Sequence, residues 1–119
     1  MELKGEALLL RMFLGEADKV HHTPLHEAIV RAAREAGLAG ATVWRGVMGF
    51  GAASRIRSAK LLDLSSDLPL VIEIVDREDR LNLFLPKVHD LFEEAQCGGL
   101  VTLERVNIIR YVHGRAGKL

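Results

Sequence analysis

The apolar positions of this chain repeat with two periods. Residues 7–14, ALLLRMFL, form a short apolar run whose one charge is Arg11, and it stops at Gly15. Such a run reads as a strand buried over most of both faces. The polar stretch 15–22, GEADKVHH, is a connection. Over 23–40 the pattern changes to a helical one, with Leu25, Ile29, Ala32, Ala33 and Ala36 recurring on one side. Thr23 is placed to cap this helix, Pro24 to occupy its first turn, and Gly37 to supply a left-handed stop. Residues 41–50, ATVWRGVMGF, read as a second strand with a bulge at Gly46. Residues 68–76, LPLVIEIVD, alternate cleanly, so Leu70, Ile72 and Ile74 share one side and Val71, Glu73 and Val75 the other. Over 77–96 a second helical stripe is built from Leu81, Phe84, Leu85, Val88, Leu91 and Phe92. Pro86 within it predicts a kink or an N-terminal break. A last strand runs through 100–112.

The order βαββαβ, with no repeat and no linker, predicts one α+β domain over 1–119. Its architecture is a ferredoxin-like split fold: an antiparallel four-stranded sheet with two helices on one face. The segment 51–68 between the second and third strands is too long for a hairpin turn and predicts a protruding loop. The sheet face away from the helices carries apolar side chains interrupted by Arg11, Glu73 and Arg110. That composition fits burial between subunits, with Glu73 available to pair an arginine.

Composition narrows the function classes. Lysine plus arginine equals aspartate plus glutamate at 16 each, so a broad electrostatic grip on nucleic acid or membrane is not expected. A single cysteine, Cys97, excludes an internal disulfide and fits a reducing, cytoplasmic setting. The N-terminal apolar run is too short to span a bilayer.

Candidate chemistry is sparse. His22 and His26 are four apart, but His22 precedes Thr23–Pro24 and so lies outside the helix. With His21 they read as a solvated helix entrance, with no metal called. Cys97 lies in no catalytic signature and reads as a small buried residue at a helix end. The segment GVMGFGAASR at 46–55 departs from the dinucleotide fingerprint, because Ser54 stands at the third glycine position and no helix follows. It also departs from the RNA-recognition motif, since Met48 and Ala52–Ala53 flank its GFG and the whole chain has six aromatic residues. Two readings remain for it. One is a bulge plus a strand exit. The other is an anion site, in which Ser54, Arg55, Arg57 and Lys60 add hydroxyl and cationic groups to exposed backbone amides.

The segments GLAGATVWRGVMGFG, LPLVIEIVD and GLVTLERVNIIRY, together with the long loop between the first two, resemble the PII-like signalling proteins. The closer resemblance is to their uncharacterised branch, domain of unknown function 190, and it covers about residues 5–114. The resemblance implies a homotrimer with its sheets at the centre, and adenine nucleotides bound in clefts between subunits at the base of the 51–68 loop. It matches Thr42, Gly49, Phe50 and Gly51 to that base and Arg110 to a phosphate-facing arginine on the last strand. It also implies a non-enzymatic regulator that touches a partner protein through the loop. Because relatives of the branch are associated with a fluoride channel, that partner could be a membrane transporter or channel. Three departures weaken the triphosphate grip: Ala52–Ala53 replace an Arg-Gln pair, Cys97–Gly98–Gly99 lacks the phosphate-loop lysine, and Val112 replaces a second arginine. The ligand residues expected are therefore Thr42, Gly49, Phe50, Gly51, Ser54, Arg55, Arg57 and Arg110, with Phe50 packed under the loop. The competing readings are a small dimeric enzyme with a pocket between sheet and helices, and a trimer without ligand.

Overall fold

The computed structural model describes residues 3–52, 55–59, 67–112 and 114. Four strands make the main sheet: β1 (Gly5–Gly15), β4 (Thr42–Arg45), β7 (Pro69–Asp76) and β8 (Leu100–Ile108). Two short ribbons lie outside it, β2 (Lys19–Val20) with β3 (Thr23–Pro24), and β5 (Met48–Gly49) with β6 (Arg57–Ser58). The helices are α1 (Leu25–Glu35) and α2 (Glu78–Ala95). The sheet order is β4-β7-β1-β8, with every neighbouring pair antiparallel. The long strands β1 and β7 are central, and both helices cover one face. This is the ferredoxin-like fold that the sequence predicts.

Alternation builds the core. In β1, Leu8, Leu10, Met12 and Leu14 face the helices, and in β7 Leu70, Ile72 and Ile74 do the same. Leu25, Ile29 and Ala33 of α1 and Leu81, Phe84, Val88, Leu91 and Phe92 of α2 close over them. Gly37, at φ +76°, ends α1: its N–H donates to Arg34 O and the Leu38 N–H to Ala33 O. These paired bonds satisfy two of the last carbonyls of the helix.

Four local expectations change. Thr23 does not cap α1. It pairs with Val20 in the β2–β3 ribbon, Pro24 takes the N-cap position without a side-chain cap, and the Leu25 N–H is satisfied by Asp18 O at 2.8 Å. Pro86 does not break α2, which runs through it from Glu78 to Ala95. Pro86 and Asn82 are both exposed, so the Asn82 carbonyl that loses its bond can be solvated. The second strand is not one bulged strand over 41–50: it leaves the sheet after Arg45, and Met48–Gly49 pair with Arg57–Ser58 instead. The last strand ends at Ile108, so Arg110 lies two residues beyond it.

The open sheet face is closed electrically within one chain. Arg11 sits opposite Glu73 and Thr102 in the two flanking registers. Its Nε and Nη2 donate to Glu73 Oε2 at 2.9 and 2.8 Å, and Nη1 donates to Glu104 Oε1 at 2.8 Å. Trp44 Nε1–H takes the other Glu73 oxygen at 2.8 Å. Glu73 therefore does not wait for an arginine from another subunit. The Arg11 hydrogen bond, and after it that of Trp44, holds its carboxyl below the ordinary glutamate value. Around this network Leu9, Val71 and Val75 are half-buried and Phe13, Trp44 and Leu100 are exposed.

Candidate functional site

The glycine-rich segment becomes the ribbon β5–β6, packed against one proline. At the end of β4 the Gly46 N–H donates to Pro69 O at 2.7 Å, and the Pro69 ring lies against the chain. A Cβ on Gly46 would stand 3.0 Å from Pro69 Cγ, and one on Gly49 3.3 Å from it. These two glycines are needed for close packing of ribbon on sheet end. Gly51 is different: a Cβ there would meet nothing within 4 Å. The fold places no steric demand on it.

The ribbon has two unlike sides. Met48 is paired with Ser58 and Gly49 with Arg57, so continuing the register sets Phe50 opposite Ile56. Met48, Phe50 and Ile56 thus share one side and are 60%, 71% and 55% exposed. Phe50 is exposed, and loop residues 53–54 and 60–66, under which it is expected to pack, lie outside the described residues. The other side carries Gly49 and Arg57. Arg55 is exposed. Arg57 is partly buried, with Nη1 3.3 Å from Asp67 Oδ1. Ser54 and Lys60 lie outside the described residues.

The remaining candidates are not brought to the ribbon. Thr42 is at the far end of β4, exposed on the open face opposite Glu73. It lies seven positions before Gly49, roughly 20 Å of extended chain. Arg110 is farther. Ile108 pairs with Gly5 and Leu100 with Phe13, so the chain beyond β8 emerges at the Gly5 end of β1, whereas the ribbon stands at the Gly15 end. An eleven-residue strand spans roughly 35 Å. The segment is held there by Tyr111, whose hydroxyl donates to Ala39 O at 2.6 Å and whose carbonyl accepts the Leu3 N–H at 3.3 Å. A single subunit thus carries the ribbon cations and Arg110 at opposite ends of its sheet.

Sequence reasoning missed the carboxylates that organise this region. Asp67 Oδ1 accepts the Ala17 N–H at 3.1 Å as well as Arg57, and Glu16 receives Arg45 and the Leu68 N–H. No motif announces pairs separated by 10 to 52 positions. At the sheet's other end Asp76 is fully buried and accepts the N–H groups of Ala39 and Arg77, with the Arg80 guanidinium 3.7 Å away. Arg80 also donates to Gly37 O. This cluster ties α1, α2 and β7 together and is structural.

The other chemical candidates sit apart from the ribbon. Cys97 packs against the core at the end of α2, and burial, followed by the nearby Asp18 carboxylate, pushes its thiol up to about 11. A thiol so placed is protonated at neutral pH, which removes its nucleophilic form. His21, in the turn between β2 and β3, faces Glu94 at 3.5 Å. Among the described residues no three histidine, cysteine or carboxylate side chains are grouped to hold a metal. A groove of about 360 Å³ runs between α1 and α2, lined by alanines, Leu38, Leu83 and Phe84 with Glu35, Arg80 and Lys87 at its rim. Its lining includes one carboxylate, Glu35, and no histidine. Among the described residues no helix is long and apolar enough to cross a membrane.

Comparison with known proteins agrees with this fold. A UPF0166 protein of Aquifex aeolicus is 39% identical over 101 residues, covering 85% of this chain and 91% of the relative. A UPF0166 protein of Methanocaldococcus jannaschii is 30% identical over 105 residues, covering 88% and 94%. Among solved structures, CPII from Thiomonas intermedia K12 superposes with a TM-score of 0.67 at 18% identity, covering 91% of both chains. CPII is described as a nitrogen regulatory PII-like protein bound to ADP, AMP and bicarbonate. A second CPII structure, bound to ADP and bicarbonate, gives 0.65 at 19%. Likeness at this identity speaks to the fold. The family described as DUF190, "Uncharacterized ACR", matches residues 7–108, and the chain belongs to it, with a PII-like fold.

Proposed function

We propose that this chain is a non-enzymatic, PII-like regulator that works as a homotrimer in the cytoplasm. It binds an adenine nucleotide in clefts between subunits and meets its partner protein through the 51–68 loop. The observation that carries the reading is the division of the anion-binding groups. Gly51, Arg55 and Arg57 stand at one end of the sheet and Arg110 at the other, with an uncovered, largely apolar face between them. A second copy laid antiparallel on that face would bring one subunit's Arg110 toward its neighbour's ribbon. The similar CPII fold, bound to ADP and AMP, supports an adenine nucleotide as the ligand class.

In this reading Gly49 and Gly51 hold the ribbon backbone where a phosphate can approach, and Arg55, Arg57 and Ser54 supply charge and hydrogen bonds. Arg110 comes from the neighbour, and Thr42 contacts the ligand from β4. Phe50, being exposed, offers its ring to the ligand or to the partner. With Cys97–Gly98–Gly99 in place of a lysine-bearing phosphate loop, affinity for ATP falls in the high-micromolar range, about −5 to −6 kcal/mol. The partner is a regulated protein, with a membrane transporter or channel as the class to test first. No cofactor is required.

Calorimetry with ADP, AMP, ATP and cyclic AMP, on wild type and Arg110→Ala, tests the reading. Saturable heat for an adenine nucleotide, reduced in the variant, is the expected result. No heat at millimolar nucleotide would leave the glycines as packing devices and return the chain to a ligand-free trimer.

A further inference from the structure

The turn at residues 15–18 holds the C-terminal root of the long loop. The Glu16 N–H donates to Leu68 O at 2.9 Å, the Leu68 N–H to Glu16 Oε1 at 3.4 Å, and the Gly15 N–H to Asp18 Oδ2 at 2.7 Å. Asp67 is fastened independently by the Ala17 N–H. The Arg57 guanidinium rests on the bare Cα of Gly15, where any Cβ would collide with Nη1.

Its hold on Asp67 is of another kind. One N···O pair at 3.3 Å is longer than the roughly 2.7–2.9 Å of a charge-assisted hydrogen bond. A guanidinium has five donor hydrogens. Among the described residues the nitrogen facing Asp67 is the one that finds an acceptor. Among the described residues Arg57 is therefore seated and lightly tethered, with Asp67 its one acceptor. Asp67 keeps the Ala17 bond without it. Arg55, two positions before Arg57 and exposed, offers a second cation to an anion drawn there.

We propose that Arg57 is a two-position residue. Asp67 holds it in the empty subunit, and the ligand's phosphate draws it away, which makes Asp67 a built-in competitor that sets ligand affinity. This deepens the nucleotide site proposed above and rests on it. The exchange has a physical direction. A terminal phosphate carries about −1.5 to −2 charges at neutral pH and three acceptor oxygens, against one charge on a carboxylate already committed to a backbone N–H.

The test is ADP calorimetry on wild type, Asp67→Asn, Arg57→Gln and the double variant. Asparagine keeps the oxygen that accepts the Ala17 N–H, so the loop root stays tied. Asp67→Asn should bind ADP about two- to fivefold tighter than wild type, the range of a partly exposed ion pair. Arg57→Gln should bind more weakly, and in its background Asp67→Asn should change nothing. A purely structural Asp67 gives the opposite result: equal or weaker binding in Asp67→Asn. That outcome, with wild type still binding ADP, overturns the competitor and leaves the nucleotide site standing. No binding to wild type overturns both. If Arg57→Gln does not fold, Asp67→Asn against wild type decides the matter alone.

Discussion

Gly98 and Gly99 sit side by side between α2 and β8, yet they face opposite constraints. A Cβ on Gly99 would stand 2.5 Å from Phe92 Cε1 and 3.0 Å from the Phe13 carbonyl oxygen. Carbon pairs settle at about 3.5–4.0 Å, so the Phe92 contact overlaps by about 1 Å. Phe92 is 9% exposed and packed in the core, and Phe13 O belongs to the central strand, so neither can retreat without moving its neighbours. Overpacking of this kind costs about 1–3 kcal/mol. For a chain of this length each kcal/mol lowers Tm by about 3–6 °C, so Gly99→Ala should melt roughly 5–15 °C below wild type. A Cβ on Gly98 would meet nothing within 4 Å, and Gly98 is not among the described glycines with positive φ. Gly98→Ala should therefore match wild type or exceed it by a few tenths of a kcal/mol through lost freedom in the unfolded chain. Thermal and urea unfolding of the two variants in parallel give the comparison. Equal stabilities would refute the steric argument and move Gly99 from the packing residues to the ligand candidates.

Trp44 reports on the open face, because it is the chain's one tryptophan and its indole N–H is held by Glu73. The depressed Glu73 value stabilises the fold above the unfolded glutamate range, and this contribution is lost as pH falls through the lower native value. The Trp44 emission should accordingly titrate below the ordinary value of about 4.3, and Glu73→Gln should abolish that transition. Cys97 should react with a disulfide reagent at pH 8 at least about tenfold more slowly than a free thiol, because its raised value leaves little thiolate. Denaturation should bring the rate to that of the free thiol, and fast labelling of the native protein would contradict the burial. Gly37→Ala, at φ +76°, should cost about 1 kcal/mol in urea unfolding.

The fold was legible where one period decided it. Leu70, Ile72 and Ile74 alternate with Val71, Glu73 and Val75, and that pattern alone orients β7 between helices and open face. Gly37 marked its helix end because a left-handed residue there is a local requirement. What failed depended on partners distant in sequence. The strand through Gly46 leaves the sheet where Pro69 faces it, because Pro69 accepts the Gly46 N–H but has no N–H to return. Thr23 leaves the cap because Val20 and Asp18 take over its work. The charge network on the open face joins Arg11 to residues 62 and 93 positions away, so the arginine that Glu73 pairs is one of its own chain. For the candidate site, sequence identified the ribbon but could not separate its members. Gly49 answers to Pro69, Gly51 to nothing among the described residues, Phe50 is exposed, and Arg57 is tethered by an aspartate outside any motif.

The central claim is that the ribbon and Arg110 serve one site only when they come from different subunits. Complementation measures this directly. One variant carries Arg55→Ala and Arg57→Ala, and the other carries Arg110→Ala. Each alone should bind ADP weakly in calorimetry. When the two are unfolded together and refolded as a mixture, random assembly pairs an intact ribbon with an intact Arg110 at about a quarter of the interfaces. The account predicts that wild-type affinity returns at about that fraction of sites. If the mixture binds no better than the separate variants while mixed assemblies form, the site lies within one subunit or does not involve Arg110, and the account is wrong.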